Sequence, residues 1–215
     1  MNIVVIGANG QIGQHLVQQL HAHDQHEVTA MVRKEEQQKE FEDKGIHAVL
    51  ADLEGSIADL EKVLKGADAV VFTAGSGGKT GPDKTLLVDL DGAVKSIAAA
   101  KNANVNRFVM VSAFQAHNRD SWAESPIKPY MVAKHFADEE LVRSGLDYTI
   151  IRPGGLQNEP GTGKVQASEN LERGNIPRED VAATIVEVLD AKNTYQKGFD
   201  LTAGEDSISD AVKQI

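Results

Sequence analysis

The chain has 215 residues, of which 41% are hydrophobic and 25% are charged, which is typical of a globular protein. Its formal net charge of −10, with the basic residues scattered among carboxylates, makes nucleic acid and anionic membranes unfavourable partners. The absence of cysteine excludes disulfides, thiolate metal sites and cysteine nucleophiles. With neither a signal peptide nor a membrane-length apolar run, we expect a cytoplasmic protein, monomeric or a small homo-oligomer, that acts on a small-molecule substrate.

Short apolar segments rich in valine and isoleucine alternate with amphipathic segments along most of the chain. The apolar segments show little polar alternation, as is typical of strands covered on both faces. We predict strands at residues 2–6, 27–32, 47–51, 69–73, 107–112, 148–152 and 198–202. We predict helices at residues 11–23, 35–44, 56–65, 83–103, 127–145, 178–191 and 207–214. The alternation predicts an α/β fold in one domain, residues 1–215, with a doubly wound, mainly parallel sheet of about seven strands and helices on both faces.

Two polar segments, residues 113–126 and 153–177, interrupt this alternation. Each follows the carboxyl end of a predicted strand, which is where ligands of open α/β sheets bind. We therefore predict that both are small substrate loops.

The first predicted strand leads into the sequence GANGQIG, which spaces three glycines at intervals of three residues. Gly7 permits a tight turn, Gly10 lets a phosphate approach the main chain, and Gly13 lets the helix lie close to the sheet. The free amides and the dipole at the helix start favour an anion. We predict a pyrophosphate site formed by residues of this loop, namely Gly7, Asn9, Gly10, Gln11 and Ile12.

A second glycine-rich segment, FTAGSGGKTGPDK at residues 72–84, resembles a phosphate-binding P-loop. A P-loop needs a glycine where Thr73 stands, and no later predicted strand ends in the aspartate that would hold magnesium. We interpret Ala74 and Gly75 as a close approach to the cofactor and the rest as a flexible link. Lys79 is either a solvated lysine or a phosphate contact.

The end of the second strand selects between the two nicotinamide dinucleotides. In the sequence VTAMVRKEE, Arg33 and Lys34 follow the strand and no acidic residue stands at the diagnostic place, which favours NADP, with NADPH preferred over NADH. The alternative is a surface arginine that opens a helix. After the third strand, the sequence ADLEG places Asp52 and Leu53 in the predicted adenine site, although Asp52 could equally be a turn residue.

Tyr130 and Lys134 in YMVAK are four residues apart on a predicted helix and therefore share a face. A lysine ammonium beside the phenol would lower the pKa of Tyr130 toward neutrality and make it a proton donor to a carbonyl. Ser112 closes the preceding strand and could polarise the same oxygen. By itself, a Tyr-x-x-x-Lys spacing usually marks an ordinary helix surface.

Together with VMVSA, SGLDYTIIRPGGL (residues 144–156) and NIPREDVAA (residues 175–183), these motifs resemble the short-chain dehydrogenase/reductases. The similarity covers essentially the whole chain and points to the atypical NAD(P)-binding or NmrA-like branch, which includes biliverdin/flavin reductase-like proteins. It implies a Rossmann fold that binds NADP(H), with Ser112, Tyr130 and Lys134 as catalytic residues. It also implies that Lys134 bonds the nicotinamide ribose and that Pro153 lies at the nicotinamide end. The catalytic asparagine of many members has no counterpart in LLVDLDGAV.

The sequence thus predicts an NADP(H)-dependent oxidoreductase that reduces a small carbonyl, quinone or flavin-like acceptor. A non-catalytic NADP(H) sensor is the alternative. A sugar-nucleotide epimerase or dehydratase is disfavoured because only roughly 60 residues follow Pro153, too few for a separate substrate lobe. His117 and His135 are candidate second proton donors, and Phe114 and Trp122 either line the pocket or fix their loop.

Overall fold

A computed structural model describes all 215 residues. The strands are β1 (Asn2–Ile6), β2 (Glu27–Val32), β3 (His47–Leu50), β4 (Ala69–Phe72), β5 (Arg107–Val111), β6 (Asp147–Pro153), β7 (Gly155–Gln157), β8 (Lys164–Ser168), β9 (Asn175–Pro177), β10 (Lys197–Ala203) and β11 (Asp206–Ser207). The helices are α1 (Gln11–His21), α2 (Glu35–Glu42), α3 (Ile57–Leu64), α4 (Pro82–Lys84), α5 (Gly92–Asn102), α6 (Lys128–Arg143), α7 (Arg178–Asp190) and α8 (Ile208–Lys213). A π-helical segment, Thr85–Asp91, joins α4 to α5.

Nine strands form one sheet in the order β11–β8–β10–β6–β5–β4–β1–β2–β3. The seven predicted strands pair in parallel, whereas β8 runs antiparallel to both β10 and β11. A separate two-stranded sheet joins β7 to β9. The predicted fold class is confirmed, and the strands that the sequence did not predict are β7, β8, β9 and β11. Three of these lie inside the segment predicted as a polar loop.

The two faces of the sheet bury two hydrophobic clusters because successive strand residues point to opposite sides. In β1, Ile3 and Val5 pack with α1, α7 and α8, whereas Val4 and Ile6 pack with α3, α5 and α6. The strands are therefore covered on both faces, which explains their continuous apolar sequences.

The order in which strands are added to the sheet reverses at β1, since β2 and β3 lie on one side of it and β4 lies on the other. Such a switch point opens a crevice at the carboxyl ends of the strands. The loops that follow β1, β2, β4 and β5 meet there. None of the helices is long and apolar enough to span a bilayer.

Candidate cofactor and active site

A cleft of about 930 Å³ runs along the carboxyl ends of β2, β1, β4 and β5. Almost all of the residues predicted for the cofactor and for catalysis line it: Gly7, Asn9, Gly10, Gln11, Ile12, Arg33, Asp52, Leu53, Ala74, Gly75, Ser112, Tyr130 and Lys134. Pro153 does not; it is buried at the end of β6. A smaller depression of about 450 Å³ at the opposite ends of the strands, near Asn2 and His47, contains none of these residues.

The glycine loop has the geometry that its spacing predicts. Gly7 has a φ of +86°, and a Cβ atom there would lie 2.6 Å from the amide nitrogen of Ala74. A Cβ atom on Gly13 would lie 2.3 Å from the Gly7 carbonyl oxygen, so this position of α1 touches the turn. No side chain caps α1 at Gly10, and Gln14 N–H donates to the Gly10 oxygen at 2.8 Å. The preceding N–H groups at the start of α1 are therefore available to an anion.

One end of the crevice contains Arg33, which follows β2. Its side chain is exposed, lines the cleft and has no carboxylate within 4.0 Å. Asp52 lines the same wall and also acts in a turn, because its Oδ1 accepts from Glu54 N–H at 2.9 Å. Leu53 packs against the main chain at Gly92. A planar guanidinium without a partner is a suitable donor for a phosphate group.

Ser112 lines the cleft and has an unpaired hydroxyl. Its side chain is only 4% exposed, and its Oγ atom has no hydrogen-bond partner in the protein. Its main-chain N–H is bonded to the Ile151 oxygen at 2.8 Å, which fixes the residue directly after β5. Buried polar groups are nearly always paired, so this hydroxyl is placed to bond a ligand.

Lys134 is 2% exposed, and its ammonium donates to the Val111 carbonyl oxygen at 2.8 Å. Burial lowers the pKa of this ammonium, while the carboxylates of Asp89 and Asp138 act in the opposite direction. The bond to Val111 holds the lysine beneath the end of β5, next to Ser112. The structure thus brings the three predicted catalytic residues to one wall of the cleft.

The expected lowering of the pKa of Tyr130 is wrong. Burial raises the pKa of the phenol, and the negative charges of Asp89 and then Asp138 raise it further. Lys134, whose ammonium is bonded to the carbonyl of Val111, does not offset these effects. Tyr130 is consequently a neutral phenol at physiological pH, with its proton available for donation.

Asp89 is a site residue that the sequence did not single out. It lies in the π-helical segment, is 1% exposed and lines the cleft. Its Oδ2 accepts from Ser76 N–H at 3.0 Å, and its Oδ1 lies 3.0 Å from where a Cβ atom on Gly75 would stand. Asp89 therefore fixes the loop after β4. The available signal was an aspartate within an apolar helical stretch.

The segment 113–126 contributes only Pro126 to the cleft, and the segment 153–177 contributes only Leu156. Trp122 is buried and donates to the Ala116 oxygen at 3.3 Å, so it fixes its loop. His135 bonds the same oxygen at 2.8 Å through Nδ1. His117 bonds Asn170 Oδ1 at 3.1 Å. None of these three aromatic side chains lines the cleft.

The residues present fit a nicotinamide dinucleotide. Free N–H groups at the start of α1 suit a pyrophosphate, and the close approaches at Gly7 and Gly13 shape the turn that presents them. At the other end of the crevice, the Ser112 hydroxyl lacks a partner within the protein. The fold and the cleft together define a dinucleotide-binding protein of the Rossmann type.

The chain belongs to the NAD(P)H-binding family, whose model matches residues 7–192. It is 59% identical to the Bacillus subtilis protein named uncharacterized sugar epimerase YhfK, and the match covers 100% of both chains. The structure of the oxidoreductase ylbE from Lactococcus lactis is similar, with a TM-score of 0.90 and 33% identity, over 100% of this chain and 96% of that one. Sanguinarine reductase of Eschscholzia californica is 30% identical over 135 residues, which are 60% of this chain and 50% of that protein. The resemblance to atypical short-chain reductases is confirmed.

Proposed function

We propose that the protein is an oxidoreductase that uses NADPH to reduce a small carbonyl, quinone or flavin-like acceptor. The observation that carries this proposal is the unpaired Ser112 hydroxyl, which lines the same cleft as Tyr130 and Lys134. Leaving a buried hydroxyl unpaired costs about 1–3 kcal/mol, so a ligand oxygen that bonds it would be favoured there.

The roles of the three side chains follow from their environments. Tyr130 keeps its proton at neutral pH and donates it to the acceptor oxygen, while Ser112 orients and polarises that oxygen by a second hydrogen bond. The bond to the Val111 oxygen holds the Lys134 ammonium, which is itself a hydrogen-bond donor, at the end of β5. The bound nicotinamide supplies the hydride.

The test of the chemistry is Tyr130→Phe. This variant keeps the ring that packs in the cleft and loses only the proton donor, so we expect NADPH binding to be unchanged and acceptor reduction to fall by roughly 10²- to 10⁴-fold. Binding is measured by nicotinamide fluorescence, and turnover by a screen of carbonyls, quinones and flavins. An unchanged rate in the variant would exclude Tyr130 as the acid.

The preference for NADPH over NADH rests on Arg33, whose guanidinium has no carboxylate partner. Replacing Arg33 with Gln should weaken NADPH binding roughly tenfold and leave NADH binding unchanged, since only NADPH carries the additional phosphate. The neighbouring Lys34→Gln variant is the control, because Lys34 is exposed and does not line the cleft. Equal losses for both dinucleotides would count against this role of Arg33.

The second candidate is a sensor that binds NADP(H) without turnover. It is favoured by the raised pKa of Tyr130, because a phenol with a raised pKa is a weaker proton donor than an ordinary one. A sensor would bind the cofactor, reduce no acceptor in the screen and bind a protein partner differently in its two redox states.

The name of the YhfK relative makes sugar epimerisation a third candidate. It predicts interconversion of nucleotide sugars by the purified protein with bound oxidised cofactor. The same acceptor screen, extended with nucleotide sugars, separates it from the reductase proposal.

A further inference from the structure

Arg178 lies at the end of the cleft that is farthest along the sheet from Arg33. It is the first residue of α7, directly after β9, and it lines the cleft together with Leu156 of β7. In the strand order, Arg33 follows β2, the glycine loop follows β1, and Ser112 follows β5. Leu156 follows β6, one strand beyond Ser112. A dinucleotide that extends from Arg33 to Ser112 therefore leaves this end of the cleft for the acceptor.

The positive charge of Arg178 is not neutralised by the protein. Its Nη1 donates to Asn158 Oδ1 at 2.7 Å, and no carboxylate lies within 4.0 Å of the guanidinium. The two carboxylates next to it in sequence are engaged elsewhere, because Glu179 accepts from Gly161 N–H at 2.7 Å and Asp180 from Thr162 N–H at 2.9 Å. In a chain with a net charge of −10, an arginine held in a concave site by a neutral amide is set up to bind an anion.

Parts of the cleft lining are apolar. Leu156 is 38% exposed and Ile127 is 52% exposed, and both line the cleft, as do Pro126 and Pro129. Large apolar side chains open to a cleft favour an apolar ligand. The cleft therefore combines the uncompensated charge of Arg178 with apolar parts of its lining.

We propose that the acceptor is a molecule with an apolar, reducible body and a carboxylate, and that Arg178 binds this carboxylate. The inference rests on the proposed reductase function. The body of the acceptor lies against Leu156 and Ile127 with its reducible oxygen toward Ser112 and Tyr130. Asn158 holds one edge of the guanidinium and leaves its remaining donors for the carboxylate.

The test compares anthraquinone-2-carboxylate with anthraquinone-2-carboxamide, which share the apolar body and differ in charge. Binding of each to the protein saturated with NADP⁺ is measured by calorimetry, which needs no turnover. We expect the carboxylate to bind roughly tenfold tighter than the carboxamide. Arg178→Gln should remove this preference, and Arg178→Lys, which keeps the charge but not the planar fork, should retain part of it. Arg173→Gln, an exposed residue outside the cleft, is the matched control and should keep the preference.

Three results would overturn the proposal: no binding of the carboxylate, equal binding of the two probes, or a loss of NADP⁺ affinity in Arg178→Gln. The last would assign Arg178 to the cofactor instead. Failure of the proposed function has a different signature, namely that no acceptor in the screen oxidises NADPH, whether or not the carboxylate binds. The melting temperature of each variant shows that it is folded, and Arg178→Lys remains informative if Arg178→Gln is not.

Discussion

Ser112 and Ser96 are both buried serines, but only one of them has its hydroxyl paired. Ser96 Oγ on α5 donates to the Gly92 oxygen at 2.7 Å, whereas Ser112 Oγ has no partner in the protein. The unpaired Ser112 hydroxyl belongs to a residue that lines the cleft. A functional role accounts for the cost of leaving it unpaired better than packing does.

Ser112→Ala should therefore separate stability from activity. Removing an unpaired buried hydroxyl leaves the free energy of unfolding unchanged or raises it by up to about 1 kcal/mol, while acceptor reduction falls by roughly 10²-fold. Denaturant unfolding and steady-state rates measure the two effects. Ser96→Ala, which lies outside the cleft, should leave the rate as it is. A Ser112→Ala variant that keeps full activity would contradict the assignment.

Among single residues, the sequence predicts those site residues that can be recognised by their position along a strand or helix. Ser112 ends an apolar strand, and Tyr130 and Lys134 share a helix face by their spacing of four. Asp89 and Arg178 lack such a signal because tertiary contacts bring them to the cleft. The direction of the pKa shift of Tyr130 was also beyond the sequence, since it depends on burial and on a carboxylate 41 positions away in the chain.

The turn between β1 and α1 illustrates how one element combines a packing role with a binding role. Gly13 is required where the helix contacts the turn, since a Cβ atom there would lie 2.3 Å from the Gly7 oxygen. Gly10 has an ordinary φ of −69°, and a Cβ atom there would meet only the Gly7 oxygen, at 3.1 Å. Gly13 is therefore required for packing, whereas Gly10 leaves space above the main chain.

Alanine at Gly13 should affect mainly stability, and alanine at Gly10 should affect mainly NADPH binding. Gly13→Ala is expected to destabilise the protein by about 1–3 kcal/mol through the clash with the turn. Gly10→Ala should change stability by less than about 1 kcal/mol but weaken NADPH binding at least roughly tenfold, because its methyl group occupies the phosphate approach. Thermal unfolding and fluorescence titration provide the two readouts. Tight NADPH binding by Gly10→Ala would show that the phosphate lies elsewhere.

The elements that the sequence predicts are those covered on both faces, because burial forces a continuous apolar sequence. The missed strand β8 has the sequence KVQAS, and only Val165 of it is fully buried. A strand with one fully buried side chain carries too little hydrophobic signal to be separated from a loop. The π-helical segment Thr85–Asp91 lies inside a predicted helix, and the sequence did not predict its irregular geometry.

Protonation of His26 makes the stability of the whole fold depend on pH. His26 is buried before β2, with its Nε2 atom 3.8 Å from Asp190 Oδ2 at the end of α7. Burial lowers its pKa from 6.5, the stacked His23 and the amino terminus lower it further, and Asp190 acts against them. Below pH 6.5, His26 therefore binds a proton more readily in the unfolded chain than in the native state. Stability from this residue is present above that pH and is lost as the pH falls through the lowered value.

His26→Gln should flatten this dependence. We expect the wild-type protein to lose more free energy of unfolding between about pH 7.5 and about pH 5.5 than the variant does. The difference between the two proteins, measured by urea denaturation at each pH, isolates the contribution of His26. His21→Gln, at an exposed position, should behave like the wild type. Parallel pH profiles for wild type and His26→Gln would rule out this linkage.

The whole molecule presents one continuous crevice that extends from Arg33 through the glycine loop to Ser112. The most direct test is a crystal structure of the protein soaked with NADP⁺. We predict that its pyrophosphate bonds the main-chain N–H groups of Gln11 and Ile12 and that its nicotinamide lies beside Ser112. An empty crevice at saturating cofactor, or a dinucleotide bound away from the glycine loop, would contradict the account.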